Sequence, residues 1–224
     1  FEESPGDRGP GDLHDAIPIR RTTRDPFDEA TLPDELPSRL EAAAGEHAAH
    51  LDFVGAKSRA ELATLVAQGD RTQFADPHWR RELAGWMHPR RKGDGLVVPE
   101  ITGLVTRAVV RAVDVGRSVA KQDAVLVADA PVVAILSTDH DEPAAWLEAG
   151  RALEHLLLVA AEEGLIAGYL NQPCQVAELR PRLGQLLPPA RCPQIVLRFG
   201  KLADTPRPSP RRAVADVVVG GAGG

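Results

Sequence analysis

A long helical stretch boxed in by short apolar runs does most to limit the folds open to this chain. Glu142 to Gly164 carries Pro143 at its start and Leu153, Leu156, Leu157 and Ala160 at helical spacing, so one face of that helix must be buried. Pro131 to Thr138 before it and Leu165 to Leu170 after it are β-branched, apolar and of strand length. A helix passed between two such runs needs a sheet to cover. Gln194 to Phe199 reads as a further buried strand, Ala124 to Ala128 as another, and Leu51 to Val54 as a short one.

The remaining chain reads mainly as helix. Asp12 to Ile19 is a short helix, and Pro33 to Ala44 a second, closed by Gly45. Ser58 with Glu61 makes a capping box for a helix running to about Phe74. Asp76 caps the next, with Pro77 in its first position, to about Trp86. Met87 to Leu96 is a loop, Pro99 to about Arg117 an amphipathic helix, and Gln175 to Leu183 a helix stopped by Gly184. Ala213 to Val219 is a terminal strand or extended arm. Few strands among many helices predict an α+β fold. Residues 1–11 read as a disordered lead-in, 12–219 as one domain, and 220–224 as a flexible tail.

Composition narrows the function classes. The 224 residues are 43% apolar with a net charge of −6, enough for a full core and wrong for bulk attraction to nucleic acid. Any phosphate must be held by local arginine clusters. Cys174 and Cys192 fit no metal-ligand spacing, and the seven histidines form no HExxH or HxH array, so no metal site is expected. His47 and His50, three apart, share at most a helix face. No bilayer-length apolar stretch and no signal peptide are seen, which predicts a cytoplasmic protein without membrane partners. The chain starts at Phe1 rather than Met; it is read as a fragment or trimmed chain, with room upstream for a second domain. No GxSxG, P-loop or GxGxxG is present, leaving hydrolase, triphosphatase and Rossmann readings without support.

Two basic segments point to a bound phosphate. Arg20-Arg21-Thr22-Thr23-Arg24 gathers three guanidinium groups and two hydroxyls within five residues. Arginine offers a planar fork of donors and a hydroxyl adds a short hydrogen bond. The alternative is a solvated surface run, with Arg24 paired to Asp25 or Asp28. The second segment is Pro206 to Arg212, including Arg211 and Arg212.

Together these segments resemble the nitroreductase family of flavoproteins. RRTTR followed by a helix with Leu36, Leu40 and Ala43 is similar to the family's opening RRSxR-type motif. Pro193 to Gly200, a variable loop, and Pro210-Arg211-Arg212 with an apolar tail resemble its last core strand and closing motif. Trp146 to Glu154 through Gly164-Leu165 resembles its central helix and glycine turn. The likeness runs in order from about residue 13 to 218. Asp76-Pro77-His78-Trp79 with Glu82, Leu83 and Trp86, then Asp94-Gly95-Leu96, is similar to the helical insertion of the actinobacterial Acg-like branch, as is Leu170-Asn171-Gln172-Pro173 with Glu178-Leu179-Arg180. Members of that branch bind FMN, and some lack ordinary nitroreductase turnover. Longer members contain two nitroreductase-like halves.

The resemblance implies a mixed central sheet surrounded by helices, with the insertion as a lid. It implies that Arg20, Arg21, Thr22 and Arg24 contact the FMN phosphate and ribityl chain, and that Arg211, with Arg212, closes the phosphate site. Leu170, Asn171 and Gln172 would lie beside the isoalloxazine ring; the other reading of Asn171-Gln172-Pro173 is a plain turn. Many active family members carry an SxxNxQPW-like segment that helps bind the flavin pyrimidine. Here the corresponding stretch is Gly45-Glu46-His47-Ala48-Ala49-His50. Glu46 and His47 either face the flavin or lie on the surface. Trp79 and Trp86 either pack a lid or serve the core, where Trp146 is also expected. Arg90-Arg91-Lys92 either meets the phosphate of a pyridine nucleotide or is a solvated loop.

The implied function is an FMN-dependent oxidoreductase, carrying hydride from NADPH or NADH to a small-molecule electron acceptor such as a nitroaromatic or quinone. The protein then supplies binding and electrostatics rather than an acid or base. The alternatives are an FMN-sequestering protein with little turnover and a tailoring oxidase of a biosynthetic cluster. A homodimer is implied, or an internal pseudo-dimer if a homologous half precedes Phe1.

Overall fold

The computed structural model describes residues 13–28, 32–88, 96–97, 100–204, 206, 213 and 218. After a 3-10 turn at Leu13–Ala16 come α1 (Leu36–Gly45), β1 (Ala49–Phe53), α2 (Ala56–Ala75), α3 (Pro77–Trp86), β2 (Met87–His88), β3 (Leu96–Val97), α4 (Glu100–Ala112) and α5 (Gly116–Asp129). β4 (Val132–Thr138), α6 (Pro143–Glu162), β5 (Ile166–Tyr169), α7 (Gln172–Gln175), α8 (Arg180–Gly184) and β6 (Cys192–Gly200) follow.

The central sheet runs β1-β4-β6-β5, and every neighbouring pair is antiparallel. The parallel part of the expected mixed sheet is a single bridge between Thr22 and Ala167. There the Thr23 N–H donates to the Ala167 carbonyl at 2.9 Å. This bridge lays the Arg20–Arg24 strap along the free edge of β5.

Strand alternation sends side chains to two faces. Ala134, Leu136, Leu197 and Phe199 pack with α1 and α6. Val133, Ile135 and Val196 pack with α2, α5 and α8. On α1, buried Leu36, Leu40, Ala43 and Ala44 repeat at helical spacing, which is why one stripe suffices to seal it against α6.

Several elements differ from the sequence expectation. Ala124 to Ala128 is not a strand but part of α5. Its buried residues are Gly116, Ala120, Leu126 and Val127 while Val125 is exposed, a helical pattern that two-residue alternation cannot produce. The single helix expected from Pro99 to Arg117 is two, broken where Asp114 Oδ1 accepts from the Gly116 N–H at 2.8 Å. Gly116 lets the start of α5 approach α2 closely, since a Cβ there would stand 2.8 Å from Phe74 Cβ. α2 starts a turn before Ser58, with Gly55 as its N-cap, so the capping box does not form. Asp76 does cap α3, accepting from the His78 N–H at 2.7 Å.

The helix expected over Gln175 to Leu183 is split into α7 and α8 by the extended backbone of Val176. The expected Asp12–Ile19 helix reduces to the 3-10 turn. The two ends of the Met87–Leu96 loop pair as the parallel β2–β3 ladder. Trp146 is not core: it is 51% exposed, on the outer side of α6, and its indole N–H donates to Asp141 Oδ1 at 2.7 Å. Most of the Ala213–Val219 segment lies outside the described residues, as do 1–11 and 220–224. Among the described residues no helix is long and apolar enough to cross a membrane.

Candidate functional site

A cavity of about 1040 Å³ opens where the N-terminal strap, the end of β5 and the α2–α5 layer meet. Arg24 and Asp25 come from the strap, Phe74 from α2, Trp79 and Leu83 from α3, and Val110 from α4. Tyr169, Leu170 and Gln172 enter from the sheet edge. The size suits a cofactor or drug-sized ligand, and the lining sets an apolar wall beside a cluster of charged and amide side chains.

The polar part is built around one amide. Gln172 Nε2 donates to Asp70 Oδ1 at 2.9 Å and to Asp123 Oδ2 at 2.6 Å. Close approach of α2 makes this possible, because Gly69 has no side chain; a Cβ there would lie 2.5 Å from Gln172 Cβ. Beside it, Gln73 Nε2 donates to Gln175 Oε1 at 2.8 Å. Asp70 Oδ2 and Gln172 Oε1 are buried without a hydrogen-bond partner. Two buried acceptors without donors cost stability, and a ligand N–H would relieve them.

Burial lifts the Asp70 carboxyl to about 6, with the Gln172 hydrogen bond opposing and the Asp123 charge adding to the rise. Burial also raises Asp123, against the Gln172 hydrogen bond and the charges of Arg198 and Arg24. Arg198 itself is buried on β6, 4.4 Å over the Phe27 ring, and donates to the Thr23 carbonyl at 3.2 Å. Burial lowers its pKa, while Asp123 and Asp25 favour its charge. Gly168 leaves it room, since a Cβ there would stand 2.7 Å from Arg198 Nε.

The residues expected from sequence divide into three groups. Arg24, Leu170 and Gln172 line the cavity. Arg20, Arg21, Thr22 and Asn171 do not. Arg20 Nε lies 3.2 Å from Glu154. Arg21 Nη1 donates to the Pro18 and Arg20 carbonyls at 2.7 and 2.8 Å. Thr22 is exposed on the bridge to β5. Asn171 Oδ1 accepts from the Val196 N–H at 2.8 Å, a strut between β6 and the turn before α7. Arg211, Arg212 and the Arg90–Lys92 run lie outside the described residues.

Trp79 and Leu83 do form a wall, Trp79 standing edge-on to Phe74 at 4.6 Å, whereas Trp86 is exposed. Glu46 and His47 sit apart from this cavity, against His155.

Sequence reasoning passed over Asp70, Asp123, Tyr169 and Arg198. Two of them left a signal. Asp70 falls on the stripe of α2 that buries Leu62, Leu65, Val66, Gly69 and Gln73. Arg198 interrupts the apolar run of β6.

No protein-family model matches the sequence. An uncharacterised protein of Mycobacterium tuberculosis is 30% identical over 211 residues, spanning 91% of this chain and 60% of its own. Another protein of that organism, acg, provisionally named an NAD(P)H nitroreductase, is 28% identical over 91% of this chain and 63% of its own. The chain thus spans about three fifths of the curated relatives it matches.

Among solved structures, iodotyrosine deiodinase bound to FMN and 3-iodo-L-tyrosine superimposes with a TM-score of 0.59 at 15% identity, covering 90% of this chain and 96% of its own. A nitroreductase with bound FMN from Bacteroides fragilis gives 0.55 at 18% identity, covering 93% and 97%. The fold is nitroreductase-like: helices flank a central sheet, in the architecture these structures share.

Proposed function

We propose that the chain is an FMN-binding, oxidoreductase-like protein of the nitroreductase type, and that the cavity beside β5 receives the flavin. One observation carries the reading: the Thr22–Ala167 bridge brings Arg24 of the strap to the same cavity as Leu170 and Gln172, joining segments almost 150 residues apart in the chain. The residues present suit the cofactor. Phe74, Trp79 and Leu170 offer apolar surface for a flat ring. Asp70 and Gln172 offer buried acceptors for a ring N–H. Lys121 and Arg24 offer cations to carbonyl or phosphate oxygens.

When bound, FMN supplies hydride acceptance from NADPH or NADH and electron delivery to a small-molecule acceptor, with nitroaromatics and quinones the first to test. The chain's own part is to bind, orient and exclude water. Arg24 anchors anionic oxygen, with Arg20, Arg21 and Thr22 on the same strap and Arg211 and Arg212 from the C-terminal segment. Gln172, held by two carboxylates, keeps a fixed orientation for its free oxygen. α3 shields the cavity through Trp79 and Leu83. The reading extends to a cytoplasmic homodimer, or to an internal pseudo-dimer in a longer protein.

The second reading, FMN sequestration with little turnover in the manner of the Acg-like branch, draws on the α3 wall and on the absence of the Asn-containing segment at Gly45–His50. An anaerobic visible spectrum of the FMN-loaded protein, before and after NADPH and then NADH, separates the two. Bleaching of the bound flavin supports the oxidoreductase. A flavin that stays oxidised supports sequestration, and failure to load flavin overturns both.

A further inference from the structure

Across the sheet from the cavity's polar floor, three potential ligands converge without any of the spacing that marks a metal motif. Glu46 and His47 stand on the turn after α1, and His155 on α6 reaches them from 108 residues away. Ala48, with φ of 50°, turns the chain sharply just after them.

His47 Nε2 and His155 Nδ1 lie 3.1 Å apart, their ring centroids at 5.3 Å and planes 74° from one another. Glu46 Oε2 is 3.7 Å from His155 Nδ1. One ligand atom from each residue falls within 4.8 Å of the others, the one such group of histidine and carboxylate among the described residues.

We propose that Glu46, His47 and His155 bind a divalent metal ion of the zinc class. Two nitrogens roughly 2.1 Å from a common ion stand roughly 3.0 Å apart at a right angle and roughly 3.4 Å apart at a tetrahedral angle. The observed 3.1 Å lies between the two. The two facing ring nitrogens lie within hydrogen-bond distance of each other across the 3.1 Å gap. A metal ion accepts both lone pairs at once.

The partner chemistry is right as well. Imidazole nitrogen with one carboxylate oxygen is a borderline donor set that suits Zn²⁺ and its neighbours better than Mg²⁺ or Ca²⁺. The Glu46 side chain is 68% exposed, free to swing onto the ion, and its negative charge offsets part of the ion's. Three protein ligands leave the remaining positions to water. His47 turns Nε2 toward the cluster, where it faces His155 Nδ1.

The test is Zn²⁺ titration into tag-free, metal-free full chain, followed by competition with a chromogenic chelator. Binding of one Zn²⁺ per chain with micromolar or tighter Kd is expected. His47→Ala and His155→Ala should each weaken it at least tenfold, and Glu46→Gln about threefold or more. Flavin loading should be the same in all four proteins, so the outcome is independent of the flavin reading. Absence of binding at tens of micromolar Zn²⁺ overturns the proposal, as does binding that both histidine variants leave intact. Should either alanine variant unfold, the exposed Glu46→Gln and the band intensity of Co²⁺ bound to the unaltered chain decide. Unchanged Zn²⁺ affinity in E46Q together with a weak octahedral water-like Co²⁺ spectrum overturns it.

Discussion

The two faces of the central sheet are made by the same strands and end up chemically different. Toward α1 and α6, Leu136, Leu197, Phe199 and Leu156 form an apolar layer with each of the four fully buried. Toward α2 and α5, the layer begins in the same way with Val133, Ile135 and Val196. It then gives way to Arg198, Asp70, Gln172 and Asp123 at the cavity. Burying charge costs free energy that apolar packing does not. A fold with one face free of such cost can carry it on the other, and the polar end of the second face marks where a ligand belongs.

Breaking the dry face should have the largest effect. Leu156→Ala leaves a hole among residues that cannot collapse into it, and should cost about 3 kcal/mol of stability, read from the urea midpoint. Flavin affinity of the protein that remains folded should be unchanged. A mild loss would mean that this face is less tightly packed than its burial implies. The converse change is Arg24→Ala. It should leave stability within about 0.5 kcal/mol, because Arg24 is exposed at the cavity mouth. It should weaken FMN binding by about 1.5–3 kcal/mol, the scale of a charged hydrogen bond, measured by flavin fluorescence quenching. Equal affinity in the variant would remove the strap from the flavin site.

Most of the dry face was legible in the sequence. Leu153, Leu156, Leu157 and Ala160 repeat at helical spacing, and β4 and β6 are apolar runs of strand length, so local pattern and tertiary role agree. The wet face was legible only in part. α5 hides its period, since Ala124 to Ala128 is as apolar as a strand and only packing on α2 shows which residues point inward. The site itself depends on contacts between distant segments. Gln172 was found by resemblance, but its two carboxylate partners lie 102 and 49 residues away, and no local pattern links them. Asn171 reads equally well as a ligand group or part of a plain turn until its bond to Val196 shows it to be a strut. The arginine strap was evident as a basic run, yet only the Thr22–Ala167 bridge separates Arg24, at the cavity, from Arg20, paired with Glu154.

The strain on the wet face can be measured through pH. Asp70 holds its proton up to about 6 in the folded chain against 3.8 as its ordinary value. Between those values the folded state keeps a proton that the unfolded state has released. Stability therefore falls as pH rises from about 4 to 6, and the full penalty stands above that. Asp70→Asn removes the charge and keeps an oxygen for Gln172. It should stabilise the protein at pH 8 by about 2 kcal/mol, less toward pH 5 and not at all below pH 4. Denaturant titrations across that range decide. A variant that loses stability at pH 8 would show that the Gln172 bridge needs the charge, and that the two carboxylates stabilise the turn instead of straining it.

The smallest effect is expected at a carboxylate of the opposite kind. Asp141 accepts from Arg180 Nη1 and Nη2 at 2.6 and 2.8 Å. That pairing, with the Trp146 indole N–H adding to it, holds the carboxyl at about 2. A depressed folded value means stability that is present above about pH 4 and lost as pH falls toward 2. The side chain is 38% exposed, so solvent screening reduces the contribution well below what the shift alone implies, to about 0.5–1 kcal/mol. Asp141→Asn should cost that much at pH 7 and only a small fraction of it at pH 2, with the difference shrinking in high salt. Asp70 and Asp141 thus respond to pH with opposite signs, one a buried charge with too few donors and the other an open charge with a matched guanidinium. Loss of the D141N effect in salt, with the D70N gain unmoved, would tie the contrast to burial rather than to charge.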